Sequence, residues 1–241
     1  MERHYSKGEG NGPMIAFLRS RVYELLAYGF AEPSPPFLEF VSGGDFLKTI
    51  MDALAWYPIR GETDFRPLHE AAGDVVGVDL ETVRSWYEEL VSPRQNLLYE
   101  CNYHPSFSTF EEMADIAGFY RAFGVGFGKE RADHLSTELE FMRLLALKEA
   151  KALLDRQKEN LAICNSAQKR FLHSHLGRWV KTLSTVIQDL RFYAPLCLFL
   201  NGWIEKECGY LSVIPQEVST YFPEGEIETP TCSGTRSEEA R

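Results

Sequence analysis

The sequence predicts an all-α protein: a single globular bundle of roughly eight to ten helices with a hinge between two helical halves. Three observations predict it. Apolar residues recur at helical spacing through most of the 241-residue chain. No stretch shows the apolar–polar alternation of a half-buried strand. The breaks between periodic segments carry proline, glycine or helix-capping residues.

The elements follow in order. Behind Pro13, the residues Met14, Phe17, Leu18, Val22, Leu25 and Leu26 form one helical stripe. The run Glu32-Pro33-Ser34-Pro35-Pro36 stops that helix, because proline lacks the amide donor and clashes in a helix interior. A second pattern covers Phe46 to Tyr57, and a third covers Leu80 to Val91 with Asp79 placed to cap it. Residues 102–109 have turn character. Thr109 and Glu112 then form a capping-box pair for a helix in which Phe110, Met113, Ala117, Tyr120 and Phe123 share a face. Gly124, Gly126 and Gly128 follow, and the stretch 124–132 reads as a hinge. A long helix starts near Asp133, where Asp133 suits an N-terminal cap, and reaches the 150s. Residues 167–208 hold two or three more helices.

These elements define one helical domain over 13–214, with polar tails at 1–12 and 215–241, the second of which is expected to be mobile or laid on the surface. The three alternating glycines lower the cost of reorienting the chain. They permit exchange of helical halves between two chains, and so a homodimer.

Composition narrows the function. A net charge of −10 opposes nonspecific nucleic-acid binding, which needs a basic surface. The cysteines Cys101, Cys164, Cys197, Cys208 and Cys232 form no Cys-x-x-Cys pair, so neither a zinc site nor a disulfide framework is expected, and a reducing compartment fits. The N-terminus is polar and lacks signal-peptide character. The longest charge-free apolar run, Phe192 to Ile204, is too short to span a bilayer. A cytoplasmic location without stable membrane insertion follows.

Motifs for chemistry are thin. The stretch from Gly124 to Glu130 lacks the first glycine of a phosphate loop, and Glu130 stands where Ser or Thr must follow Lys129. No Glu-x-x-His pair serves a di-metal bundle. His173 and His175, two apart on a helix, point in nearly opposite directions; one packed and one exposed histidine is the reading. No Gly-x-Ser-x-Gly elbow occurs. No cofactor or metal is expected.

On the helix starting near residue 133, Leu135, Leu139, Met142, Ala146 and Ala150 form an apolar arc, with His134, Glu138, Phe141 and Leu145 along one edge. His134 and Glu138 are one turn apart. Glu138 would be partly buried and in need of a partner, which suits structure or ligand binding better than acid–base catalysis. From Glu100 to Glu140, eight acids face three bases, Arg121, Lys129 and Arg131, leaving a net charge of −5. The aromatics Tyr99, Tyr103, Phe107, Phe110, Phe119, Tyr120, Phe123 and Phe127 are interleaved with them. Such a segment can bind a basic, apolar peptide. It equally fits aromatics in a core beneath a solvated acidic face.

The runs "ADIAGFYRAFG", "DHLSTELEFM" and "FLHSHLGRW" resemble the TorD/DmsD/NarJ-type chaperones, nearest the branch serving type II DMSO-reductase-like enzymes. The likeness covers about residues 95–210, and His175, Leu176 and Trp179 support it. One departure is that Arg131 and Ala132 stand where the family often carries proline before Asp-His.

The resemblance implies a cytoplasmic, non-enzymatic chaperone. Its partners would be a molybdoenzyme catalytic subunit and the twin-arginine leader peptide of that subunit, held until cofactor insertion is complete. Asp133 and His134 match the family's ligand-site motif. Glu138, Tyr99, Tyr103, Tyr120, Phe123 and Phe127 complete the expected peptide-binding set. A scaffold for a folded redox subunit, or a helical enzyme, are the alternatives.

Overall fold

The computed structural model describes residues 11–57, 63–103, 109–126, 130–218 and 220–221. Among these the chain forms ten α-helices, one short 3-10 turn and no strand. Phe127, most of the expected tails (1–10 and 222–241) and part of the expected hinge (127–129) lie outside the described residues.

The first helices begin where proline is tolerated. α1 (Gly12–Gly29) and α2 (Pro35–Ser42) each carry proline in their first turn, where the amide would be unpaired in any case. Ser34 caps α2 by accepting from the Phe37 amide at 3.4 Å. The run Glu32–Pro36 therefore ends one helix and also opens the next, a use that its reading as a stop alone misses.

α3 (Asp45–Leu54) follows Gly44, whose φ of 84° suits glycine. α4 (Arg66–Asp74) again begins with proline in its first turn. Neither α2 nor α4 is expected from periodicity: they have 8 and 9 residues, and α4 buries only Leu68, Ala71 and Ala72. In α5 (Leu80–Val91) Asp79 caps as expected, accepting from the Thr82 amide at 2.8 Å.

The 3-10 turn Glu100–Tyr103 leads toward α6 (Thr109–Ala122), which lies lightly on the body: only Ile116 and Tyr120 are buried. The expected shared face fails at its start, because Phe110 is 86% exposed.

α7 (Leu135–Leu154), α8 (Lys158–Ser174), α9 (Leu176–Val186) and α10 (Tyr193–Leu211) complete the bundle. The arc Leu135, Leu139, Met142, Ala146 and Ala150 is buried throughout. α7 packs chiefly against α1. Gly12 faces Leu153 while Glu24 meets Arg143 at 3.1 Å, so the two helices run antiparallel. One continuous core links residues before and after the glycine stretch, from Val22 to Leu211.

A polar knot sits inside that core. Arg19 of α1 is fully buried and binds Glu207 of α10 at 2.7 and 2.9 Å, Glu149 of α7 at 2.6 Å and Gln168 of α8 at 2.6 Å. Tyr57 also donates to Glu207. Arginine's planar fork with its many donors suits a junction of four helices.

Between α8 and α9 the chain turns sharply at His175. A side chain on Gly177 would lie 2.3 Å from the Leu172 carbonyl oxygen and 3.1 Å from Pro215. The chain beyond α10 passes over this corner: the Gln216 amide donates to His173 O and the Val218 amide to Arg178 O, at 2.9 and 3.0 Å. No helix among the described residues is long and apolar enough to cross a membrane.

Candidate functional site

Two segments distant in sequence clasp each other just before α7. Leu135 donates its amide to Leu98 O at 2.8 Å, and Glu100 donates to Asp133 O at 2.9 Å. These bonds frame an isolated antiparallel bridge between Tyr99 and His134. Tyrosines fix both sides of the clasp: Tyr120 donates to Ala132 O at 2.7 Å, and Tyr103 donates to Leu97 O at 2.9 Å. The clasp satisfies backbone groups that burial would otherwise leave costly.

His134, rather than Asp133, is the N-cap of α7. Its Nδ1 accepts from the Ser136 amide at 3.2 Å and lies 2.7 Å from Ser136 Oγ. Burial pushes its pKa down to about 4, so the ring is neutral and can accept. Asp133 faces the other way. Its carboxylate takes both arms of Arg131, Nε to Oδ1 at 2.9 Å and Nη2 to Oδ2 at 2.8 Å. The Arg131 guanidinium also lies 4.6 Å from the centre of the Tyr99 ring.

Glu138 is buried one turn into α7. It touches Trp179, whose indole nitrogen donates to Oε2 at 3.3 Å, and the Glu100 carboxylate acts on it electrostatically. Burial first, and then the Glu100 charge, hold the Glu138 carboxyl far above the usual carboxylate range. The other carboxyl oxygen, Oε1, is buried without a hydrogen-bond partner. The expected His134–Glu138 contact is replaced by the Trp179 bond, because His134 turns back to cap its own helix.

Glu100 is the hub of a second cluster. His175 Nδ1 lies 3.2 Å from it, and Arg178 Nη1 lies 3.6 Å away. His175 Nε2 meets Asp115 of α6 at 3.1 Å, and Arg178 Nη1 meets Glu112 of α6 at 3.5 Å. Burial alone would lower the His175 pKa, but the Glu100 and Asp115 carboxylates outweigh it and raise it. His175 and exposed His173 divide as the helical wheel expects. Glu100, Glu112 and His175 bring a ligand atom each within 4.8 Å of one another, a geometry with metal-ligand chemistry. Arg178 already reaches both carboxylates and supplies positive charge there.

Of the seven described residues in the expected peptide-binding set, Asp133, His134, Glu138, Tyr103 and Tyr120 are buried, and Tyr99 and Phe123 are partly exposed. The two buried tyrosines serve as struts of the clasp. The open surface lies beside them. A groove of ≈ 370 Å³ runs between the end of α6 and the first turns of α7, lined by Tyr120, Val125, Gly126, Glu130, Ser136, Thr137, Glu140, Phe141, Arg143 and Leu144. Its floor is apolar and its rim holds Glu130 and Glu140. Arg143 is engaged by Glu140 at 3.0 Å and by Glu24.

Sequence reasoning misses Glu100, Asp115 and Arg178 as one cluster, since their pairing is purely tertiary. Arg131 is visible in the sequence only as a departure from a proline.

Residues 61–185 match the family model described as nitrate reductase delta subunit, more than half of the chain. The chain is also 29% identical over 175 residues to the perchlorate reductase assembly chaperone protein of Dechloromonas aromatica (strain RCB), covering 67% of this chain and 74% of that one. The matched segment contains both halves of the clasp, all of α6 and α7, and the His175 corner, so this all-helical chain belongs to the nitrate reductase delta subunit family, the NarJ/TorD-type redox-enzyme maturation chaperones.

Proposed function

We propose that this protein is a cytoplasmic assembly chaperone for the catalytic subunit of a molybdenum-dependent oxidoreductase. It holds the subunit before cofactor insertion and export by binding its twin-arginine leader in the groove between α6 and α7. The observation that carries this reading is the groove itself: an apolar floor of Val125, Phe141 and Leu144 beneath exposed Glu130 and Glu140, beside the Asp133–His134 clasp. A leader with a basic end followed by an apolar stretch meets both halves. Burying its apolar part contributes about 25 cal/mol per Å².

The protein acts by holding rather than by turnover. Of the buried groups with acid–base chemistry, Glu138 accepts from Trp179, and His175 is held by Glu100 and Asp115. Gly124, with φ of 73°, gives the chain a turning point at the groove edge. Helix exchange between two chains about 124–132 belongs to the same proposal.

The test is co-purification of the protein with full-length and leader-deleted forms of a tagged apo catalytic subunit. Capture that depends on the leader supports the reading. Equal capture of both forms points instead to a scaffold that binds the folded subunit.

A further inference from the structure

The Arg131 side chain has the geometry by which a protein recognises a foreign arginine. It presents a two-point fork to one carboxylate, at 2.9 and 2.8 Å, while its plane lies over the Tyr99 ring at 4.6 Å. A carboxylate and an aromatic face together select guanidinium over ammonium, because the fork needs planar donors and the ring favours a flat, weakly hydrated cation.

Exposure within the pair is uneven. The Asp133 side chain is 0% exposed, whereas that of Arg131 is 38% exposed. Besides Arg131, the carboxylate has a long contact from the Cys101 amide at 3.4 Å. Asp133 therefore depends on a guanidinium that comes from the solvent side.

The contact is also local. Arg131 and Asp133 are two residues apart, within a turn closed by the His134 amide on Arg131 O at 3.2 Å. Arg19, by contrast, ties four helices together and cannot be exchanged without unlinking them. Removing the Arg131 side chain leaves the clasp bonds at Leu98, Glu100 and Ala132 in place, since their donors and acceptors lie on other groups. Glu130, the residue before Arg131, lines the groove, and Ser136, which caps with His134, lines it too.

We propose that Asp133 and Tyr99 form a guanidinium subsite at the end of the groove, and that Arg131 is its built-in occupant, which an arginine of the client leader displaces. This rests on the leader reading above and adds the residue that competes with the ligand. An incoming arginine restores the fork and the stacking, so Asp133 is never left buried without a partner, which would be costly. The competition lowers the apparent affinity by the fraction of time the subsite stands open. It also leaves no uncompensated buried carboxylate in the client-free protein.

The experiment uses Arg131→Ala in the full chain, with millimolar methylguanidinium and methylammonium as probes and thermal melting as readout. Arg131→Ala should melt below wild type and be restored saturably by methylguanidinium, while methylammonium at the same concentration does nothing. Wild type and the Arg131→Ala/Asp133→Asn double variant should respond to neither. A synthetic peptide with two consecutive arginines and an apolar stretch should bind Arg131→Ala about tenfold more tightly than wild type, and a two-lysine version should gain nothing.

If Arg131→Ala does not fold, Arg131→Lys keeps the charge without the fork. It should show the same selective rescue and a smaller gain. Absence of rescue, or measurable but equal peptide affinities in wild type and variant, overturns the subsite. Rescue by methylguanidinium when neither protein binds the peptide upholds the subsite and sinks the leader reading instead.

Discussion

His175 Nε2 lies 3.1 Å from Asp115 Oδ2, and this contact ties the buried corner between α8 and α9 to the lightly held helix α6. The other nitrogen of the same ring, Nδ1, holds Glu100, so one imidazole ring joins the clasp to the helix that walls the groove. His175→Asn should raise amide exchange across 109–122 and cost about 2 kcal/mol of stability, the usual size for charged hydrogen bonds lost from a buried cluster. The folded-state pKa of His175 is raised, so its contribution is fully present below the ordinary histidine value near 6.5 and fades as pH rises through the raised one. Exchange in α6, corrected for intrinsic rates, should therefore climb with pH in wild type and not in the variant.

His134 has the opposite sign. Its pKa falls to about 4 on folding, so the neutral ring favours the folded state above about 6.5, and that contribution is lost as pH falls from 6.5 toward 4. Linkage with these values makes wild type about 2 kcal/mol less stable at pH 5 than at pH 7 from this residue alone. Asparagine also caps helices well, so His134→Asn should keep most of the stability at pH 7 and lose less on acidification. Urea titrations at the two pH values check this.

Glu138 accepts from the Trp179 indole nitrogen, and burial together with the Glu100 charge raises its pKa. Glutamine keeps the acceptor for Trp179 without a proton to lose. Glu138→Gln should stay within about 1 kcal/mol of wild type near neutral pH and become the more stable form as pH rises, because a raised carboxyl pKa contributes stability that is lost on the alkaline side. Glu138→Ala, which leaves a void and orphans the Trp179 indole nitrogen, should cost about 2–4 kcal/mol. Chemical denaturation distinguishes the two variants.

Arg19 should be the least replaceable charge in the fold. Arg19→Met removes the cation that Glu207 and Glu149 both bind and leaves both buried without it. Breaking such a network costs about 3–5 kcal/mol. Denaturant unfolding that finds a change under about 1 kcal/mol would contradict this.

The long elements were legible in the sequence because burial imposes a period on them: every residue of the arc from Leu135 to Ala150 lies in the core. α2 and α4 were not, since 8 or 9 residues carry too few apolar repeats to stand out. The sequence points to the candidate site through the acids and aromatics from Glu100 to Glu140, but it does not show the contacts among them. His134 took the cap expected of Asp133 because Asp133 is engaged by Arg131, a pairing no helical wheel displays. Glu100 meets His175 across 75 residues of sequence, and only the fold closes that distance.

The most direct test of leader recognition is titration calorimetry of the wild-type protein with a synthetic peptide of two consecutive arginines followed by an apolar stretch, repeated on Glu130→Gln/Glu140→Gln. Both acids are exposed on the groove rim, so the variant should keep the wild-type melting temperature. Saturable binding to wild type is expected, weakened about tenfold, or about 1.4 kcal/mol, in the variant, weakened further by salt, and unchanged by Glu159→Gln on the exposed side of α8. Equal affinity for a peptide with both arginines replaced by alanine, or no binding to wild type at all, would contradict the account.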